Sequence, residues 1–424
     1  MTRSQRLTFL TGRARLTLSI GAAQGVVQLL GFVSGVLIVR LLPPEQYAYY
    51  TLAIAGAATL QNIADGGVIN GVLAQGGQVW RERARLGSVL GSALRLRHRL
   101  TAVVLIPALP VLWLLLRHQG AAPLQAAVVS LSMLPMFVLG MSTSFWETVP
   151  KLHQELRPLQ LNQLIANFAR AMIVVCFATT WPVAAVAVLA PALPQWWVNR
   201  RMRRLAAGYA DRTAADDPEL TRSLLAHVRR SLPIATYYAL SSQITIWLIA
   251  LFGHTTGVAS VGALGRIAMI QTVLLTTFSL LAVPRFARIQ GEHRQLLWSR
   301  YWQAQVLLLA ACAIPLGAVA IAPTPVLHLL GPNYAGLVHE LRLVLCCGTV
   351  STLAGAAFGL SAARGVVAPP WAVIPAGILV QALLICLLPI DTIAGVLWLG
   401  LLNATFEWLL YVGYFRLRVR AVAG

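Results

Sequence analysis

The residues of this chain with chemistry to offer are a few ionisable and amide side chains set in apolar stretches. Arg170 lies at the middle of an apolar run over 159–180. Gln163, Asn167 and Arg170 fall at i, i+4 and i+7, which is one face of a helix, and Asn162 lies beside them. A charge at mid-membrane costs about 2.5–3.5 kcal/mol even on the lenient insertion scale, so an arginine there faces protein or a wet cavity. Its chemistry is recognition: the planar fork of a guanidinium bonds two oxygens of a phosphate or carboxylate at once. The competing reading is a seam of interhelical hydrogen bonds that only holds helices together.

Four further groups follow the same logic. Arg266 lies in the run 259–283. It is about 11 Å from the outer end at 1.5 Å rise per residue, and Thr277 shares its face. Snorkelling to the surface is its other role. Asp65, in the run 47–75, follows Gln61 and Asn62 by one turn, and Gly66 and Gly67 after it are expected to loosen the helix. It could pair with an arginine, carry a coupling proton or make a structural salt bridge. Glu407 follows Asn403 by four residues and shares a face with Tyr411 and Tyr414, the pattern of a functional acid or of a polar seam. Gln24 and Gln28 share a face of the run 16–40, whose glycines make small-xxx-small pairs suited to close helix packing.

Motifs for catalysis are absent. The sequence has no G-x-x-x-x-G-K-[ST] phosphate loop, no H-E-x-x-H and no G-x-S-x-G. The histidines lie mostly in or near loops, and the 5 cysteines lie in apolar segments without metal-ligand spacing. No cofactor, no metal and no enzymatic activity are expected.

These side chains are positioned by membrane helices. The chain has 424 residues, 58% hydrophobic and 11% charged, too few charges for a soluble protein of this length to cover itself. Twelve runs read as spans: 16–40, 47–75, 98–116, 122–146, 159–180, 182–198, 233–252, 259–283, 302–322, 336–362, 370–388 and 392–415. Trp181-Pro182 separates the fifth from the sixth, because proline favours a tight turn there. The net charge of +20 comes from arginines in short loops between the spans, so it reads as a topology signal and no nucleic-acid partner is expected. Of the 33 basic residues, 28 fall on one side if the N-terminus is cytoplasmic. That asymmetry places both termini and the polar stretch 199–232 in the cytoplasm. The expected architecture is all-α and polytopic, with 1–198 and 233–424 as two six-span halves joined by the 199–232 linker. Both halves start on the same side, as parallel repeats do.

The stretch VRLLPPEQYAYYTLAIAGAATLQNIADGG (39–67) resembles the start of bacterial polysaccharide flippases of the Wzx type, in the multidrug/oligosaccharidyl-lipid/polysaccharide exporter superfamily. The stretches 256–289 and 329–344 are similar to that family as well. Two positions depart from its pattern: Ala48 stands where glycine is usual, and the turn reads L-P-P instead of L-G-P. The resemblance implies two six-helix lobes around a central cavity, in the bacterial cytoplasmic membrane. It implies transport of a polyprenyl-diphosphate-linked oligosaccharide from the inner to the outer leaflet, beside polysaccharide polymerase and co-polymerase partners in the lipid bilayer. Arg170 and Arg266 then belong to cavity-lining helices, one per lobe, and Glu407 to an outer helix. Two alternatives stay open. One is an ion-coupled small-molecule exporter of the same superfamily. The other is a membrane glycan polymerase or ligase, for which the short outward loops offer no catalytic platform.

Overall fold

The computed structural model describes residues 25–178, 180–211, 218–289 and 294–421, and among them every regular element is helical. A backbone that crosses hydrocarbon must satisfy its N–H and C=O groups internally, which a helix does. Two compact units are present, residues 1–243 and 244–424.

The first unit holds α1 (Gly25–Leu41), α2 (Pro44–Asp65), α3 (Val68–Val79), α4 (Arg83–His118) and α5 (Pro123–Trp146). It continues with α6 (Thr148–Leu152), α7 (Leu156–Ala178), α8 (Ala184–Leu189), α9 (Ala192–Tyr209) and α10 (Pro218–Ser241). The second holds α11 (Ile244–Phe252), α12 (Thr255–Ala287), α13 (Arg294–Ile321), α14 (Pro323–Leu330), α15 (Val338–Ala362), α16 (Pro370–Leu387) and α17 (Ile393–Ala421). Among the described residues 8 helices are long and apolar enough to cross a membrane alone, or up to 10 if each of two bent pairs is one span. The described part of the first expected span is the shorter apolar helix α1. The sixth is divided between α8 and α9, on either side of Ala190-Pro191.

The expected second span is broken. α2 and α3 meet at a 41° bend, where Gly66 and Gly67 take φ of 48° and 87°. Those left-handed conformations suit glycine. The Asp65 carboxylate accepts the Ile69 amide at 3.4 Å and so caps the restarted helix. The missing side chain of Gly67 admits α10, since a Cβ there would stand 2.7 Å from the Ser231 Cβ.

Helix α10 packs on α2, α3 and α4. Leu224 and Val228 are buried in the first unit's core, with Leu220 and Leu232 packed against it, an i, i+4 stripe along the helix. The boundary between the compact units therefore falls after Gln243, past the 199–232 stretch that separates the halves in the sequence reading.

In the second unit α15 packs against α12, α13 and α17. Gln271 of α12 reaches into α15, its amide donating 2.8 Å bonds to the Leu345 carbonyl and the Thr349 hydroxyl. Gly348 makes room for it, because a Cβ at 348 would overlap the Gln271 Oε1. Gly348→Ala is expected to displace Gln271 and lose both bonds, a cost of about 2 kcal/mol at about 1 kcal/mol each. Thermal unfolding in detergent checks this, and adding Gln271→Leu to Gly348→Ala should recover part of the loss.

Candidate functional site

The polar stripe of α7 does not form a closed seam. Asn167 donates to the Gln163 carbonyl at 2.8 Å, a bond within its own helix. Asn162 is buried at 1% exposure, and neither its Nδ2 nor its Oδ1 finds a protein partner. Leaving a buried amide unpaired costs about 1–3 kcal/mol, which packing alone does not require. Gln163 is half-buried. Arg170 makes the one bond of the four that crosses to another helix: its Nη2 donates to the Tyr50 hydroxyl of α2 at 3.3 Å. Tyr50 is fully buried and its ring lies 5.8 Å from that of Tyr47. The Arg170 Nε is buried without a hydrogen-bond partner. Arg170 is thus steered from one side by a neutral hydroxyl, with no carboxylate bonded to it among the described residues, and its charge is available to an anion.

A second arginine of this unit, Arg97, stands in a basic cluster at the start of the third apolar run. Arg97 is 3% exposed. Its Nη2 lies 4.0 Å from the Asp65 Oδ1, donates to the Ser144 hydroxyl at 2.9 Å and to the Met141 sulfur at 3.4 Å, and its guanidinium sits 5.5 Å from the Phe145 ring centre. The signal was present in the sequence, since Leu86, Leu90, Ala93 and Arg97 follow helical spacing and all are buried. Among the three roles expected for Asp65, the geometry supports an ion pair with a capping bond. Asn62 is exposed, whereas Gln61 seats against α5, its Nε2 standing 2.8 Å from where a Gly140 Cβ would be.

In the second unit Arg266 is half-buried on α12, among the buried residues Leu264, Ile267 and Ala263. Glu407 ends a polar chain: Gln381 of α16 donates to Asn403 at 3.2 Å, and Asn403 donates to Glu407 at 3.3 Å. That arrangement ties α16 to α17, and Gln381 is a partner that sequence spacing did not reveal. Gln28 is half-buried on α1, and Gln24 lies outside the described residues.

In the first unit His153 lies between aromatic rings, 4.0 Å from Tyr209 and 5.4 Å from Trp80. The Tyr209 hydroxyl donates to Glu155, and that bond raises the tyrosine pKa. A cavity of about 140 Å³ between α4, α5 and α9 is lined by Leu90, Leu94, Trp146, Arg203 and Ala206 among others, and by none of the stripe residues. Among the described residues no group of 3 or more His, Cys, Asp or Glu side chains gathers to hold a metal ion.

No protein-family model and no curated relative matches the sequence. Solved structures match over nearly the whole chain. An inward-facing conformation of a multidrug resistance MATE family transporter of the MOP superfamily has TM-score 0.68 at 15% identity, covering 97% of this chain and 99% of that one. The outward-facing conformation of a transporter so described has TM-score 0.63 at 15% identity, with 97% and 96% covered. A MOP superfamily transporter from Pyrococcus furiosus, described as having a binding pocket of reverse polarity that suggests a different function, has TM-score 0.57 at 15% identity, with 97% and 96% covered. The chain has the all-helical fold of the MATE transporters, a fold of 12 transmembrane helices in two lobes.

Proposed function

We propose that the chain moves a polyprenyl-diphosphate-linked oligosaccharide from the inner to the outer leaflet of a bacterial cytoplasmic membrane by alternating access. The observation that carries this reading is Arg170, bonded among the described residues to Tyr50, on the helix that also carries the unpaired buried amide of Asn162. The physical task is to carry a polar glycan and an anionic diphosphate past hydrocarbon while the lipid tail stays in the bilayer. Amides replace the water that the glycan loses, and a guanidinium replaces the water around the diphosphate. Arg266 supplies a cation in the second unit. Rocking of one repeat against the other would open each side in turn. A proton, a sodium ion or the membrane potential would drive the cycle, the last worth about 2.3 kcal/mol per charge per 100 mV. A polysaccharide polymerase and co-polymerase would receive the product.

The second reading, an ion-coupled exporter of small molecules, is favoured by Glu407. It is bonded to Asn403 and makes no ion pair among the described residues, as a coupling acid would. Leaflet-resolved analysis of lipid-linked glycan in a deletion strain separates the readings. Accumulation on the cytoplasmic leaflet is expected. Unpolymerised units on the outer leaflet would indicate a polymerase, and unchanged glycan with raised drug sensitivity would indicate an exporter.

A further inference from the structure

We propose that the arginine–tryptophan face of α9 is a binding site for the phosphodiester headgroups of anionic phospholipids in the inner leaflet. The inference is independent of the transported substrate and rests on α9 emerging at the cytoplasmic surface, as the arginine asymmetry requires. Helix α9 carries Arg200, Arg201, Arg203 and Arg204 and no acidic residue. Its opposite face is fixed: Val198, Met202 and Ala206 are buried in the core, and Asn199 accepts from Ser142 of α5 at 2.8 Å. The helix therefore presents its cations in one orientation.

Two of the four guanidiniums lie over exposed tryptophan rings and a third over the buried Trp146. Arg200 lies 4.3 Å from the Trp196 ring centre, Arg201 5.4 Å from that of Trp197, and Arg203 5.9 Å from that of Trp146. Trp196 and Trp197 are 46% and 40% exposed and stand where the sixth apolar run ends. Tryptophan rings settle at the headgroup level of a bilayer. An arginine stacked on a ring keeps its N–H edge open, and much of its rotamer freedom is already lost before an anion arrives. That edge fits two oxygens of one phosphodiester. The cytoplasmic leaflet is the anionic one, so the charges are complementary.

Arginines at an inner loop also act as topology determinants, but topology needs only their charge. The planar fork and the ring beneath it are what lipid recognition adds. The test uses the purified full chain in detergent, titrated with phosphatidylglycerol or phosphatidylcholine and followed by thermal unfolding and by native mass spectrometry of bound lipid. Phosphatidylglycerol should bind and stabilise, and phosphatidylcholine should not. The double variant Arg200→Gln/Arg201→Gln should bind phosphatidylglycerol at least tenfold more weakly, at about fivefold for each basic residue near an anionic surface. Arg200→Lys/Arg201→Lys, which keeps the charge, should still lose severalfold, while Arg229→Gln/Arg230→Gln on α10 should bind as wild type. Equal binding of both lipids, wild-type affinity in the lysine variant, or full displacement by millimolar inorganic phosphate would each overturn the proposal.

Discussion

Arg170→Ala is expected to abolish surface glycan while the protein level in the membrane stays normal. The two halves of that expectation have separate causes. Stability changes little, because Arg170 is half-buried and among the described residues makes a single bond, to a neutral hydroxyl at 3.3 Å. Such a bond contributes about 1 kcal/mol net. Transport changes greatly, because the alanine variant lacks the cation that takes the place of water around the diphosphate. Two charge-assisted bonds at about 1.5 kcal/mol each amount to a hundredfold or more in affinity for the transported group. Arg170→Lys keeps the charge without the fork and should lose about tenfold. Tyr50→Phe removes only the steering bond and should lose a fewfold at most. Arg266→Ala is expected to act in the same direction from the second unit. Surface glycan by immunostaining, read beside membrane protein level by immunoblot, checks the series. Full function of both alanine variants would remove the cationic-site reading.

For Arg97→Leu the expected outcome is the opposite split, with lost stability and little protein in the membrane. Arg97 is 3% exposed and its removal strands Asp65 next to a capping bond and an apolar core. Taking away one partner of a buried pair costs about 3–5 kcal/mol. The low end of that range applies here, since the Asp65 side chain is 26% exposed and the closest approach is 4.0 Å. Arg97→Leu combined with Asp65→Asn should recover much of the loss, because no lone charge remains. A double-mutant cycle on unfolding in detergent measures this coupling. If Arg97→Leu unfolds at the wild-type temperature, the pair has no structural role and Asp65 returns as a candidate for ion coupling.

The two arginines are unequally legible in the sequence. Arg170 stands alone in a long apolar run, so its position announced itself. Arg97 stands among Arg95, His98 and Arg99, where a basic cluster reads as a solvated loop end. Helix α4 continues through that cluster and turns Arg97 alone of the four toward α2 and α5. The broken second span was legible, because Gly66-Gly67 is a local signal for a break. The chain of Gln381, Asn403 and Glu407 was half legible: the i, i+4 pair lies within α17, while its donor comes from α16.

The sequence by itself determined the approximate bounds of most apolar runs, the breaks at Gly66-Gly67 and Trp181-Pro182, and the sidedness expected from arginine placement. Each of these depends on residues within one helix length or on charge summed over short loops, so no contact needs to be known. The tertiary structure alone decided which polar groups find one another. Arg170 meets Tyr50 120 residues away, Gln271 meets Leu345 74 residues away, and α10 packs against the first unit's core. Such pairings follow from how each helix is rotated about its axis and where a glycine such as Gly348 or Gly67 lets a neighbour approach. Hydropathy places a residue along the membrane normal, and it carries no information about which neighbouring helix that residue will face.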